Sequence, residues 1–323
     1  MAFSIIVFAT LFCHIWAMNR ASTSFSVPVI ETQTSDQYSC YDYSLDHVEL
    51  EHLKSIRVDV DRSKVHHVTF SFCENPLTNS SVWTCGHLQG HVCDGYAVNV
   101  AGWNSKTLDT GHFEFPSGVT VRYGKKTRLV HLVTQIHFRG EVKDYHEPIV
   151  NVTLFPHQNV NPSSLNYQTY MILSSGFIPQ NSNTGYFAES ACEWKKPPVT
   201  AYKFYSHTHH YGFMAEGFLI RNNTWRFIGG ELTKNRTRDW SSIPGGPLVI
   251  YPGDIIAARC LYINKEDKPV PFGLTDQQEM CNFEVNFGYE SRYSKEFKRS
   301  FACMSNTQEF SFCKTKALHG FCQ

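Results

Sequence analysis

The chain has 323 residues and a formal net charge of zero, 29 Lys and Arg against 29 Asp and Glu. Only 18% of residues are charged and no basic run occurs, which argues against nucleic acid and anionic membrane as main partners and leaves a small organic or peptide partner. The length suits two domains of ordinary size, each able to build its own core.

The opening, MAFSIIVFATLFCHIWAM, has an apolar centre from Phe3 to Ala17 followed by the polar, small-residue stretch NRASTS. It reads as a cleaved secretory signal over residues 1–21, although it lacks the usual early Lys or Arg. An uncleaved anchor is the alternative, but the apolar run is short for a span of about 20 residues and nothing later comes close, so no transmembrane segment is expected beyond the signal. Of eleven cysteines, Cys13 lies in that signal, and the ten that remain suit an oxidising compartment. Four Asn-x-Ser/Thr sequons, at Asn79, Asn151, Asn222 and Asn235, agree with a secreted glycoprotein.

After the signal, alternating segments predict strands. HVTFSFC (67–73) begins with the second of the adjacent pair His66 and His67, which point to opposite sides of a flat strand. One metal can take both only if the backbone twists or bulges there. GVTVRYG (118–124) comes next, then RLVHLVTQIHF (128–138), with His131, Gln135 and His137 on one face and Leu132, Thr134, Ile136 and Phe138 on the other. His87, His91, His112 and His146 read as ordinary loop or surface residues. Near FPHQNVNPSS (155–164), proline and polar residues interrupt the strand rhythm, which places a boundary between a domain of residues 22–156 and one of residues 157–323.

The second half continues with TYMILSSGF (169–177) and then YSHTHHYG (205–212), where His207 and His209 share a face and His210 takes the other. Two imidazoles on one face suit a divalent metal; a pair of half-exposed strand histidines is the plainer reading. DIIAARCLYI (254–263) precedes EMCNFEVNFGY, where Phe283, Val285 and Phe287 form an apolar face and Met280, Asn282, Glu284 and Asn286 a polar one. A methionine aligned with amides and a carboxylate is either a gap filler at the strand's start or a soft ligand. Beside a His-x-His pair its sulfur favours copper over structural zinc. No sustained helical period or internal repeat appears, so the fold class is all-β, two packed antiparallel-sheet domains.

Taken in order and spacing, VHHVTFSFC, TQIHF, HTHHYG, GDIIAARC and DQQEMCNF make the chain resemble the ascorbate-dependent copper monooxygenases, which include the peptidylglycine α-hydroxylating and the dopamine and tyramine β-hydroxylating enzymes. The resemblance runs from SDQYSC at 35 to RSFACMSN at 299 and is nearest the peptidylglycine branch. It implies two jelly-roll-like β-sandwich domains, a copper in each, facing one another across a cleft. The electron-transfer copper would bind His66, His67 and His137; the catalytic copper would bind His207, His209 and Met280, with His210 structural. Ascorbate would be the reductant and O₂ the co-substrate.

The implied substrate is a secreted peptide ending in glycine, hydroxylated at the glycine α-carbon as the first step of C-terminal amidation. The implied enzyme is a monomer that relies on a separate lyase. The resemblance also implies disulfides Cys40–Cys85, Cys73–Cys93, Cys192–Cys303 and Cys260–Cys281, with Cys313 and Cys322 left to close a C-terminal loop.

The substrate positions depart from the family pattern. The peptidylglycine enzymes grip the terminal carboxylate with an arginine shortly before HTH, an asparagine two residues after the methionine and a tyrosine two residues further. Here Asn282 is kept, Glu284 stands at the tyrosine position and, without a gap, Tyr205 stands at the arginine position. If two residues are inserted before His207, Lys203 supplies the cation on the same face, though without the bidentate grip of a guanidinium; otherwise it is an exposed strand lysine. Gln135 would lie near the cleft. Two alternatives follow: a related copper hydroxylase acting on a small amine, which Glu284 could pair with, or on another non-peptide substrate, and a secreted copper-binding protein without turnover.

Overall fold

The computed structural model describes residues 21–28, 30–32, 37–86, 92–104, 111–143, 147–159, 161, 164–232, 240–273, 277–298 and 301–306. The signal segment up to residue 20, His87, His91, His146, Asn235, Cys313 and Cys322 lie outside the described residues. Among the described residues regular structure is β throughout, apart from one 3-10 turn at Ser291–Tyr293, and no helix is long and apolar enough to cross a membrane.

In the first half, an antiparallel sheet runs in the order Val82–Thr84, Tyr38–Ser44, His131–Phe138, Val65–Pro76, Cys93–Asn104. It packs against the strands Thr23–Ser26, Val150–Pro156, Glu51–Val60 and Val119–Tyr123. The reason is the alternation: Leu132, Ile136 and Phe138 from one sheet and Val150, Val152 and Leu154 from the other all lie in a single buried core. In the second half, Leu165–Ser175, Asn282–Tyr289 and Val199–His207 face a second sheet made of Ser182–Glu193, Ile255–Asn264, Gly212–Arg221 and Thr224–Leu232. Phe283, Val285 and Phe287 point into the core between them, as the period of two requires.

The two halves share a sheet. Leu165 and Asn166 pair in parallel with Val119 and Thr120, so one layer of each sandwich runs into the other as an eleven-stranded sheet. The crossing lies between the strands Val150–Pro156 and Leu165–Ser175. Further links hold the junction: Phe115 stacks edge-on against Tyr167 at 4.8 Å, and the hydroxyls of Tyr96 and Tyr289 hydrogen-bond at 2.5 Å.

Close packing in the second sandwich depends on glycine. The rings of Phe204 and Phe283 stack at 5.6 Å, and a Cβ on Gly217 of the facing sheet would stand 2.0 Å from the Phe283 ring. An alanine there has to push a buried aromatic ring aside. Gly217→Ala is therefore expected to cost about 1–3 kcal/mol in chemical denaturation; an unchanged midpoint would show that the two sheets can separate locally at no cost.

Candidate metal centres

His66 and His67 are brought to one side by the backbone irregularity that a shared metal would require. Pairing with His131–Phe138 steps from Val65 opposite Phe138 to His67 opposite His137, so His66 is the extra residue of a bulge. The candidate ligand atoms of His66, His67 and His137 then all lie within 4.8 Å of one another. Their ring centroids are 4.8 to 5.4 Å apart and steeply inclined, an arrangement that lets three nitrogens converge without ring stacking. The Nδ1 atoms of His66 and His67 are 3.1 Å apart. Tyr38 stacks flat on His137 at 4.1 Å and holds that buried ring in place. Three imidazole nitrogens and no carboxylate suit copper, zinc or another borderline metal.

Two neighbours on the same face are occupied otherwise. Gln135 is buried, its Oε1 accepting from Thr69 Oγ1 at 2.9 Å and its Nε2 donating to the Gly86 carbonyl at 2.6 Å. That ties it to the Cys40–Cys85 bridge. His131 pairs through Nδ1 with Asp42 at 2.9 Å. Burial raises the pKa of Asp42 while His131 opposes the shift. His112, on the strand His112–Glu114, is exposed.

At the far end of the molecule's other sandwich, His207 ends the strand Val199–His207, and its cross-strand partner is Asn282. The rings of His207 and His209 stand 4.9 Å apart and nearly perpendicular. His209 Nδ1 lies 2.6 Å from the carbonyl of Gln278. A carbonyl only accepts, so Nδ1 carries the proton and Nε2 keeps the lone pair a metal needs. The Nδ2 of Asn282, the residue paired with His207, lies 3.4 Å from the Met280 sulfur, and the hydroxyl of Tyr262 donates to the Met280 carbonyl at 2.6 Å. The Cys260–Cys281 disulfide anchors the next residue from behind, its Cα atoms 5.8 Å apart. Asn282 thus links the strand end that carries His207 to the Met280 sulfur, and two imidazoles with one thioether would make a soft neutral set that fits copper(I). His210 stands apart, with its ring against Tyr211 at 5.2 Å.

The sequence reading missed Glu279. Its carboxylate is fully buried and accepts from the backbone N–H of His209 at 2.9 Å, of Tyr211 at 2.6 Å and of Met280 at 3.3 Å. Burial raises its pKa, and the backbone donors of Tyr211 and His209 oppose the shift. The one available signal was its place directly before a candidate ligand.

Beside this cluster the polar face continues. Tyr205 pairs across with Glu284 and Lys203 with Asn286, the register slipping at Tyr202, and Tyr205 lies between the rings of His207 and Trp240. Glu284 keeps some solvent contact, yet protein crowds its carboxyl, and that desolvation pushes its pKa up to about 7. Lys203 sends its ammonium the other way, 3.4 Å from the Glu114 carbonyl and over the Phe113 ring.

All four disulfides expected within the described residues form: Cys40–Cys85, Cys73–Cys93, Cys192–Cys303 and Cys260–Cys281. Such bridges persist in oxidising compartments.

Residues 167–316, which contain His207, His209 and Met280, match the family model described as copper type II ascorbate-dependent monooxygenase, C-terminal domain. Peptidylglycine alpha-amidating monooxygenase of Rattus norvegicus is 25% identical over 284 residues, covering 84% of this chain and 27% of the relative. The enzyme of Mus musculus gives the same figures, and form A of Xenopus laevis is 25% identical over 281 residues, 84% of this chain and 28% of its own. The chain spans less than a third of the length of these curated relatives. Among solved structures, the infectious bursal disease virus VP2 subviral particle overlaps 85% of this chain and 77% of its own at 9% identity with a TM-score of 0.21, too slight to carry an argument. The second sandwich thus matches the C-terminal domain of the copper type II ascorbate-dependent monooxygenases, and the peptidylglycine alpha-amidating relatives align along most of both halves.

Proposed function

We propose that this protein hydroxylates the α-carbon of a C-terminal glycine in peptides, using two copper ions, ascorbate and O₂. The observation that carries the reading is the pairing, in one chain, of an all-imidazole cluster in the first sandwich with a two-imidazole, one-thioether cluster in the second. Storage of copper needs no such division, because sequestration is served as well by two like sites. The relatives named peptidylglycine alpha-amidating monooxygenase favour a peptide as the substrate.

His66, His67 and His137 hold the electron-transfer copper, and His207, His209 and Met280 the one at which the substrate reacts. When bound, the metals supply one-electron chemistry between ascorbate and O₂. The chain's own residues do the rest. Gln278 fixes the His209 tautomer, Tyr38 fixes the His137 ring, and Gln135, tied to Thr69 and Gly86, stiffens the strand that carries His137. Asn282, which touches the Met280 sulfur, offers its amide to the peptide's terminal carboxylate. Lys203 could reach that carboxylate only by leaving the Glu114 carbonyl. The setting is the secretory pathway, as the disulfides favour.

A second reading draws on Glu284. Among the described residues no hydrogen bond or ion pair compensates its crowded carboxyl, and burial is the one cause of its raised pKa. An uncompensated carboxyl suits a cationic substrate, an amine, as well as a neutral acid suits a carboxylate.

The deciding experiment incubates the copper-loaded protein with ascorbate and O₂ and a glycine-extended peptide, the same peptide already amidated, or a phenethylamine. The expected outcome is an α-hydroxyglycine product from the first alone. Hydroxylation of the amine without turnover of the peptide overturns the peptide reading in favour of the second.

A further inference from the structure

We infer that Glu279 is a positioning residue of the sulfur-bearing centre, joining the His207–His209 loop to the Met280 segment so that a metal meets a preformed set of donors. The inference rests on His207, His209 and Met280 being the ligands.

Three consecutive residues act on the site. Gln278 accepts the ring N–H of His209, Glu279 accepts the backbone N–H of the same histidine, and Met280 brings the sulfur. His209 is therefore held at its ring and at its backbone by neighbours of the third ligand. Glu279 also accepts from Tyr211 N–H through its other oxygen and from Met280 N–H, so both ends of the junction hang on one carboxylate. Among the described residues none of its donors is a lysine or arginine. A buried carboxylate without a cation is costly unless N–H groups satisfy it, and here the satisfying groups belong to the elements that carry two ligands.

A carboxylate is needed for the count. It offers two acceptor oxygens, whereas a glutamine in the same place offers one and turns an NH₂ toward an existing N–H donor. In Glu279→Gln, either the Tyr211 N–H or the His209 and Met280 pair loses its acceptor, and the loop and the methionine are no longer referenced to each other. A loop staple without influence on the metal would lower stability and leave metal binding as it was. A positioning residue changes the metal site selectively.

The test titrates copper(I) into the full chain and into Glu279→Gln against a competing chelator, with X-ray absorption to read sulfur scattering and circular dichroism of the copper-free proteins. The expected result is about a 10–100-fold loss of affinity at one copper with loss of the sulfur signal, while the copper at His66, His67 and His137 is unchanged. Unaltered affinities with the sulfur signal intact overturn the inference. If Glu279→Gln does not fold, Glu279→Asp keeps the charge but shortens the reach; weakened binding at the same copper upholds the inference, and wild-type binding overturns it. A wild-type protein that shows no sulfur scattering removes the ligand assignment itself, a different failure from one confined to Glu279.

Discussion

On the proposed ligand assignment, replacing Met280 with isoleucine is expected to lower bound copper from about two per chain to about one and to reduce hydroxylation at least about 100-fold. Isoleucine has similar bulk and no lone pair, so the core beside Cys281 keeps its packing while the soft donor is lost. Two imidazoles remain at His207 and His209, too few to retain copper(I) against a chelator. The first centre lies in the other sandwich and shares no strand with the second, so its copper stays. His66→Ala gives the mirror result, one copper with sulfur scattering intact. Metal analysis with X-ray absorption checks both, and two coppers with a sulfur signal in the Met280 variant would refute the site assignment.

If the substrate is a glycine-extended peptide whose carboxylate lies near Glu284, its turnover is expected to fall as pH rises through about 7, where Glu284 ionises. Below that pH the carboxyl is neutral and can donate a hydrogen bond; above it two negative charges face each other in a crowded site. Burial raises the pKa of Tyr167, which stays neutral over this range, and the Lys203 ammonium is engaged at Glu114. For an anionic substrate the apparent KM is expected to rise by about tenfold for each pH unit above the Glu284 value. Glu284→Gln flattens that profile. For a cationic amine the sign reverses, KM falling as pH rises, so one titration separates the two substrate readings.

Stability responds in a consistent direction. A carboxyl whose folded-state pKa lies above its ordinary 4.5 binds its proton more tightly in the folded chain. Its contribution therefore grows as pH falls from about 7 toward 4.5 and is lost as pH rises through 7. Thermal unfolding of wild type and Glu284→Gln across that window should converge at the acidic end.

Much of the site was legible because strands have a period of two. That period sorted Phe283, Val285 and Phe287 from Asn282, Glu284 and Asn286. The strand ends at His207, so His209 and His210 lie in the loop beyond it and alternation does not decide their sides. Where the period is broken, the sequence could state only a condition. His66 and His67 share a centre because the strand slips by one residue against His131–Phe138, and a slip is a property of two strands. Tyr205 rather than Lys203 meets Glu284 for the same reason, since the irregularity at Tyr202 sets the register that follows.

By itself, then, the order of side chains determined an all-β chain with two groups of candidate metal-ligating residues and an apolar face behind each, since alternation, turn residues and ligand type are local properties. Only the tertiary structure decided that the two sandwiches share a continuous sheet, that Glu279 joins the histidine loop to the methionine, and that Lys203 reaches Phe113 and Glu114. These depend on pairings between segments far apart in the chain, whose register and burial are set by the packing of the whole core.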